Sequence, residues 1–235
     1  MTDRTKSFSP SPWFLGIVTI FVTCLIVSNI VAVKLVDFWG MVLPAAVVIF
    51  PVSYIIGDVL TEVYGYAQAR RVIWLGFACN LLAVIAIWIS GALPAAAFWA
   101  PNQQAYDAIL GYTPRLLAAS FLAYLLGEFA NAAVLARMKV ATGGRYLWTR
   151  TIGSTLVGQG LDSAVFITIA FIGVIPPDVL PMTIVTQWLF KTAYETAATP
   201  VTYLIVNWLK RVEGVDTFDV RTRLNPFAVA AASGE

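Results

Sequence analysis

The chain has no histidine, only two cysteines in 235 residues, and charged side chains at only 12% of positions. Each scarcity closes off a class of function. Without imidazole there is no histidine metal site, no Ser–His or Cys–His nucleophile pair and no histidine proton relay. Cys24 and Cys79 both lie inside apolar runs, where small buried thiols are expected rather than a disulfide or redox pair. A soluble domain carries about 25% charged residues. At 59% hydrophobic residues, this chain has too little polar surface to cover a core in water. It also lacks a G-x-x-x-x-G-K-[ST] phosphate loop, so it does not hydrolyse ATP by that route. No segment reads as a separate soluble domain, and no internal repeat stands out. What remains is an integral membrane protein.

Six apolar runs are each long enough to cross about 30 Å of hydrocarbon at about 1.5 Å per residue. They cover residues 13–33, 41–61, 72–93, 114–136, 152–175 and 183–208. The expected fold is an all-α integral membrane protein, a six-transmembrane-helix bundle. It forms a single domain over residues 1–212, followed by a short, loosely ordered cytoplasmic tail over 213–235. The first run follows Arg4 and Lys6, exceeds a signal-peptide core and has no obvious cleavage site, so it reads as a retained helix.

Arg4, Lys6, Arg70, Arg71, Arg137, Lys139, Arg145, Arg150, Lys210, Arg211, Arg221 and Arg223 all fall on one side of such a bundle. Lys34 and Arg115 are left for the other side. The positive-inside rule then places both termini in the cytoplasm. Trp13, Trp39, Trp74, Trp99, Tyr112, Trp148 and Trp208 lie close to span ends, where amphipathic rings favour the interface. The long loop over 94–113 has Pro94 at its start, Pro101 within it and Pro114 just after it, and is expected to carry a short interfacial helix around Gln103–Leu110.

Inside these runs stand Glu128, Asp162, Lys191 and Glu195. A charge near the bilayer centre costs roughly 2.5–3.5 kcal/mol, so four left alone would cost about 10 kcal/mol. They are tolerable only if they face one another, water or a ligand. Three- and four-residue steps return to one helix face, and the polar residues follow that rule. Gln187, Lys191 and Glu195 form one stripe. Tyr124, Glu128 and Asn131 form a second, Gln159, Asp162 and Phe166 a third, and Tyr54, Asp58 and Glu62 a fourth near the cytoplasmic end. Ser28 and Asn29 fall near the outer end of the first span, and Asn80 is the polar residue of the third.

Lys191 can neutralise one deep carboxylate, with Glu195 or Asp162 as partner. The others must be protonated, hydrated or paired with a ligand. At least one of Glu128 and Asp162 is expected to titrate during a working cycle. Pro51, read as mid-helix, and Pro200 each remove a backbone hydrogen bond. Gly153, Gly158 and Gly160 allow close helix contact.

Three stretches resemble the queuosine precursor transporter family of bacteria, formerly grouped as a vitamin uptake family. They are FPVSYIIGDVLTEVYGYAQARRVIWLGF, GEFANAAVLARMKVATGGRYLWTRTIGSTLVGQGLDSAVFITIAFIG and QWLFKTAYETAATPVTYLIVNWLKRVEGVD. The resemblance covers roughly Ser28 to Asp219. It implies a multi-pass importer of the bacterial inner membrane, not an enzyme, with no cofactor. The cargo it implies is a 7-deazaguanine base, either 7-cyano-7-deazaguanine or 7-aminomethyl-7-deazaguanine, which supplies tRNA queuosine modification.

The family pattern does not say which residues touch the cargo; that expectation is inferred from the chemistry of the base. Such a base presents a ring N–H and an exocyclic NH₂ side by side, which a carboxylate can accept as a pair. Lys191, Asn or Gln can donate to its carbonyl, and aromatic rings can stack on its faces. The expected substrate-binding residues are Asn29, Tyr54, Tyr124, Glu128, Asn131, Gln159, Asp162, Phe166, Gln187, Lys191 and Glu195. Asp58 and Glu62, with Arg70 and Arg71, are expected to gate or lock the inner end. The expected partners are the small-molecule base and membrane lipid, with no nucleic acid and no metal; a homo-oligomer is compatible with this pattern. Two alternatives stand beside it: the substrate-binding membrane component of an energy-coupled uptake system, and an intramembrane carboxylate-dependent enzyme.

Overall fold

The computed structural model describes residues 11–38, 41–111, 114–173, 176–220, 222 and 224–227. Arg4, Lys6, Trp39, Tyr112, Arg221 and Arg223 therefore lie outside the described residues. The described chain is dominated by seven helices: α1 (Pro12–Val31), α2 (Phe50–Tyr64), α3 (Tyr66–Ala92), α4 (Gln103–Leu110), α5 (Pro114–Ala141), α6 (Leu147–Phe171) and α7 (Leu180–Glu213). Of these, α1, α3, α5 and α6 are long and apolar enough to cross a membrane.

Burial is inverted relative to a protein dissolved in water. Leu82 and Leu204 are 68% and 72% exposed, whereas Glu62, Glu128 and Arg150 are at most 1% exposed. Apolar side chains outside and charges inside is the arrangement that hydrocarbon solvent favours. An apolar core still ties α1, α2, α3 and α7 together, with Phe21, Val59, Val63, Ile73 and Leu209 at its centre.

The run over 41–61 is not one helix. Met41–Pro44 (β2) pairs antiparallel with Leu35–Phe38 (β1), Val36 opposite Leu43. A 3-10 turn over Ala45–Val48 follows. The α-helix then starts at Phe50, with Pro51 in its first turn. There proline has no hydrogen bond to break, and its fixed φ suits the helix start. Pro51 thus begins α2 instead of kinking it. At 15 residues, α2 spans only about 22 Å at 1.5 Å per residue.

Other boundaries also shift. Gly65, at φ +83°, separates α2 from α3. α3 therefore starts at Tyr66, and Arg70 and Arg71 sit in its first turns, not in a loop. Arg137 and Lys139 lie in the last turns of α5. α7 runs for 34 residues with Pro200 inside it, longer than the expected 183–208. The short helix expected over Gln103–Leu110 is present as α4.

α5 and α6 pack backbone against backbone. A Cβ on Gly158 would lie 2.7 Å from the Asn131 Cβ and 3.0 Å from the Gly127 carbonyl oxygen. Facing glycines allow this approach. At the end of α6, exposed Arg115 donates to the carbonyls of Ile169 and Ile172, acceptors that the helix leaves unpaired.

The tail is not loose over its described part. After Gly214 closes α7 in the left-handed region at φ +65°, Thr217 N donates to the Val63 carbonyl at 3.1 Å. The Asp219 carboxylate accepts from Tyr66 N at 2.9 Å. Gly65 offers no side chain to cap α3, so Asp219 caps it from a distance, where the helix dipole favours negative charge. Arg70 donates to the Asn225 carbonyl and Trp74 to the Pro226 carbonyl, both at 2.9 Å. Trp74 is thus tied to the tail and packed on the core. Trp13, Trp148 and Trp208, by contrast, remain largely exposed.

Candidate functional site

Polar side chains inside the bundle fall into three layers along its length. The first surrounds a cavity of about 170 Å³ at the end that carries the β1–β2 hairpin. Cavities of about 150 Å³ hold a benzene ring, so there is room here for a flat ring system. Of the expected residues, Asn29, Tyr124, Asp162, Phe166, Gln187 and Lys191 line it.

Its walls differ in character. On one side Asn29 Nδ2 donates to Asn80 Oδ1 at 2.8 Å, and Ser120 Oγ approaches Asn29 Oδ1 at 3.5 Å. On the other side Lys191 forms an ion pair with Asp162. The Lys191 ammonium also sits 4.7 Å from the centre of the Phe50 ring, a cation–π distance. This settles the sequence ambiguity: Asp162, not Glu195, is the salt-bridge partner. The pair is only partly sealed, with 14% of the Lys191 side chain exposed. Tyr124 donates its hydroxyl proton to the Ile73 carbonyl at 3.0 Å, so it has no donor left for a ligand. Phe50, Phe190, Ser28, Asn80 and Ser120 also line the cavity. Asn80 was visible in the sequence as a lone polar residue in an apolar helix. Phe50 and Phe190 carried no signal beyond hydrophobicity.

The remaining expected residues, Tyr54, Glu128, Asn131, Gln159 and Glu195, do not line this cavity. They form a second layer with Asp58, one helical turn deeper. Asn131 Nδ2 donates to Asp58 Oδ1 at 2.7 Å. Thr155 and Gln159 donate to the Glu195 carboxylate. Glu128 is buried, with neither carboxylate oxygen hydrogen-bonded, and the Tyr54 hydroxyl and Gln159 Oε1 also lack partners. Among the described residues, no group of three or more Cys, His, Asp or Glu side chains is placed to hold a metal ion.

The third layer closes the opposite end. Glu62 accepts from Arg150 at 2.7 and 3.3 Å and from Lys210 at 2.8 Å. Lys139 lies 3.6 Å from the same carboxylate and also pairs with Asp216. Lys210 reaches Asp216 at 2.9 Å. Burial opposes the charge on Asp216, but its bonds to Lys139 and Lys210 outweigh that and hold its carboxyl below the ordinary range. The cations around Glu62 are therefore not the expected Arg70 and Arg71. Arg150, Lys139 and Lys210 grip Glu62, while Arg70 stacks on Tyr66 and exposed Arg71 reaches Gln68. Asp58, expected beside Glu62 in the gate, belongs to the middle layer.

Residues 44–205 match the family described as "Putative vitamin uptake transporter". The chain belongs to this family. It is 31% identical over 180 residues to the "Probable queuosine precursor transporter" of Bacillus subtilis (strain 168), covering 75% of this chain and 77% of that relative. It is 29% identical over 125 residues to the "Queuosine precursor transporter" of Escherichia coli (strain K12), covering 52% of each. No solved structure matches. The matched region runs from the end of the hairpin to the last third of α7, so it contains Phe50, Asp162 and Lys191 of the cavity as well as Glu62 and Arg150 of the lock.

Proposed function

We propose that this chain imports queuosine precursors across the bacterial inner membrane and delivers 7-deazaguanine bases for tRNA modification. The observation that carries this is the cavity itself. It brings a partly sealed Asp–Lys ion pair, an Asn–Asn–Ser group and aromatic rings around a space of about 170 Å³. A deazaguanine fits that chemistry: its adjacent N–H donors suit Asp162, its carbonyl suits Lys191 or Gln187, and its ring faces suit Phe50 and Phe166. A purine lacking those donors would leave Asp162 short of partners and is discriminated against strongly. Both 7-cyano-7-deazaguanine and 7-aminomethyl-7-deazaguanine present this edge.

In the membrane the chain crosses six times, through α1, the hairpin with α2, α3, α5, α6 and α7. Both termini lie in the cytoplasm, with Arg150, Lys139, Lys210 and Arg211 on that side as the positive-inside rule requires. The cavity then faces outward and the Glu62 cluster seals the inward end, so Glu62 is the gate residue. Function is tested by supplying low external 7-cyano-7-deazaguanine to bacteria that lack both precursor synthesis and their own importer. Expression of this chain should restore queuosine in tRNA, and Asp162→Asn should not. Uptake by the purified protein alone in liposomes separates a self-sufficient transporter from a component that needs an ATP-driven partner.

A further inference from the structure

We propose, building on the transport reading above, that Asp58, Glu128 and Glu195 form a second cargo-binding station. It would receive the N–H-donor edge of the base after it leaves the Asp162–Lys191 cavity and before the Glu62 lock opens.

The layer has acceptors to spare and few donors. Asn131 serves Asp58, and Thr155 and Gln159 serve Glu195. Nothing serves Glu128, whose two carboxylate oxygens are unpartnered although the residue is 1% exposed. Three further polar atoms of the layer are unpartnered and buried: the Tyr54 hydroxyl, Asn131 Oδ1 and Gln159 Oε1. A Cβ on Gly127 would lie 2.7 Å from the Tyr54 hydroxyl and 2.9 Å from the Asp162 Cβ. The unpaired hydroxyl therefore sits between the two layers. The Glu128 carboxylate turns to α2, with Oε2 3.0 Å from where a Gly57 Cβ would stand. Helix packing alone would use Ser or Asn and would satisfy the atoms it buries.

For the Glu128, Asn131 and Gln159 oxygens the missing partners are donors, and two parallel N–H groups match one carboxylate. That is the edge on which a deazaguanine is recognised. The placement also makes a route. On α6, Asp162, Gln159, Thr155 and Thr151 follow one another at three- and four-residue steps; on α7, Lys191, Glu195 and Thr199 do the same. All but Lys191 are buried, and Asp162–Lys191 and Gln159–Glu195 are direct bonds across the seam. On α2, Asp58 stands one turn above Glu62. Cargo stepping down this seam exchanges one carboxylate for another and is never without an acceptor.

The test uses the full chain in detergent and in proteoliposomes, with 7-cyano-7-deazaguanine as probe. Equilibrium binding, exchange of labelled against unlabelled base, and net uptake are measured for wild type, Glu128→Gln, Glu195→Gln and Asp162→Asn. Loss of a charge-assisted hydrogen bond predicts that Glu128→Gln and Glu195→Gln lower exchange and net uptake by about tenfold or more, with binding kept within about threefold. Asp162→Asn should lose binding itself. Tyr54→Phe, which removes an already unpaired hydroxyl and so spares the fold, should slow exchange by a smaller factor.

Three results overturn the station. If Glu128→Gln and Glu195→Gln keep exchange and lose only net accumulation, the layer carries a coupling ion. If they lose binding as Asp162→Asn does, there is one site, not two. If they and Tyr54→Phe match wild type in all three assays, the layer is packing. Failure of wild type to bind or exchange the base sinks the transport reading, and the station falls with it.

Discussion

Both ends of the bundle are held by buried charge, yet the two ends are built on opposite principles. At the hairpin end one carboxylate, Asp162, meets one ammonium, Lys191, beside an open cavity. At the other end one carboxylate, Glu62, meets Arg150, Lys210 and Lys139 with a second carboxylate, Asp216, outside. The first carboxylate has a single cation beside it and lines a cavity. The second is already met by three cations. Both ends hold a buried carboxylate in an ion pair; the number of cations per carboxylate separates them.

That contrast breaks most clearly at the lock. Glu62→Gln leaves buried Arg150 without a carboxylate partner and leaves Lys139 and Lys210 with Asp216 alone. Breaking a buried pair costs about 3–5 kcal/mol, so the variant should show the largest fall in melting temperature in detergent. An unchanged melting point would make the lock ornamental. Next in size, Gly158→Ala pushes a methyl to within 2.7 Å of the Asn131 Cβ. Overpacking of this kind costs about 1–3 kcal/mol, and a thermal melt should register it, while Gly143→Ala, with open space around it but a φ of +56°, tests backbone strain alone.

Smaller effects lie in the tail. Asp219→Ala removes the cap on α3 and should cost about 1 kcal/mol, read as faster amide exchange at Tyr66 and its neighbours. Smallest is the pH dependence of Asp216. Its carboxyl titrates below its unfolded value because Lys139 and Lys210 bind it, so its contribution is complete above the ordinary aspartate range and is lost as pH falls through the lowered value. Wild type should therefore melt above Asp216→Asn near neutral pH, and the two should converge in strong acid. A gap that persists or widens in acid would contradict this.

Much of this was legible in residue spacing. Polar stripes on α5, α6 and α7 named Tyr124, Asp162 and Lys191, and all three reach the cavity. A stripe reports which face of a helix is polar but not which neighbour it meets, or at what depth. Glu128 and Glu195 share stripes with Tyr124 and Lys191, yet lie a turn deeper and outside the cavity. The hairpin was hidden because its second strand and 3-10 turn are apolar and adjoin α2, so hydropathy runs through them without a break. The cations around Glu62 were hidden by distance: Arg150 and Lys210 stand 88 and 148 residues from it, beyond the reach of helical periodicity. The docked tail was hidden because its ties are mostly backbone carbonyls, which every residue has.

The most direct measurement is the affinity of the purified protein for 7-cyano-7-deazaguanine, compared between wild type, Asp162→Asn and Glu62→Gln under conditions where all three remain folded. An open cavity pair and a saturated lock predict that Asp162→Asn loses about tenfold or more in affinity while Glu62→Gln stays within about threefold. Equal loss in both, or full binding by Asp162→Asn, would contradict the division of labour between the two ends.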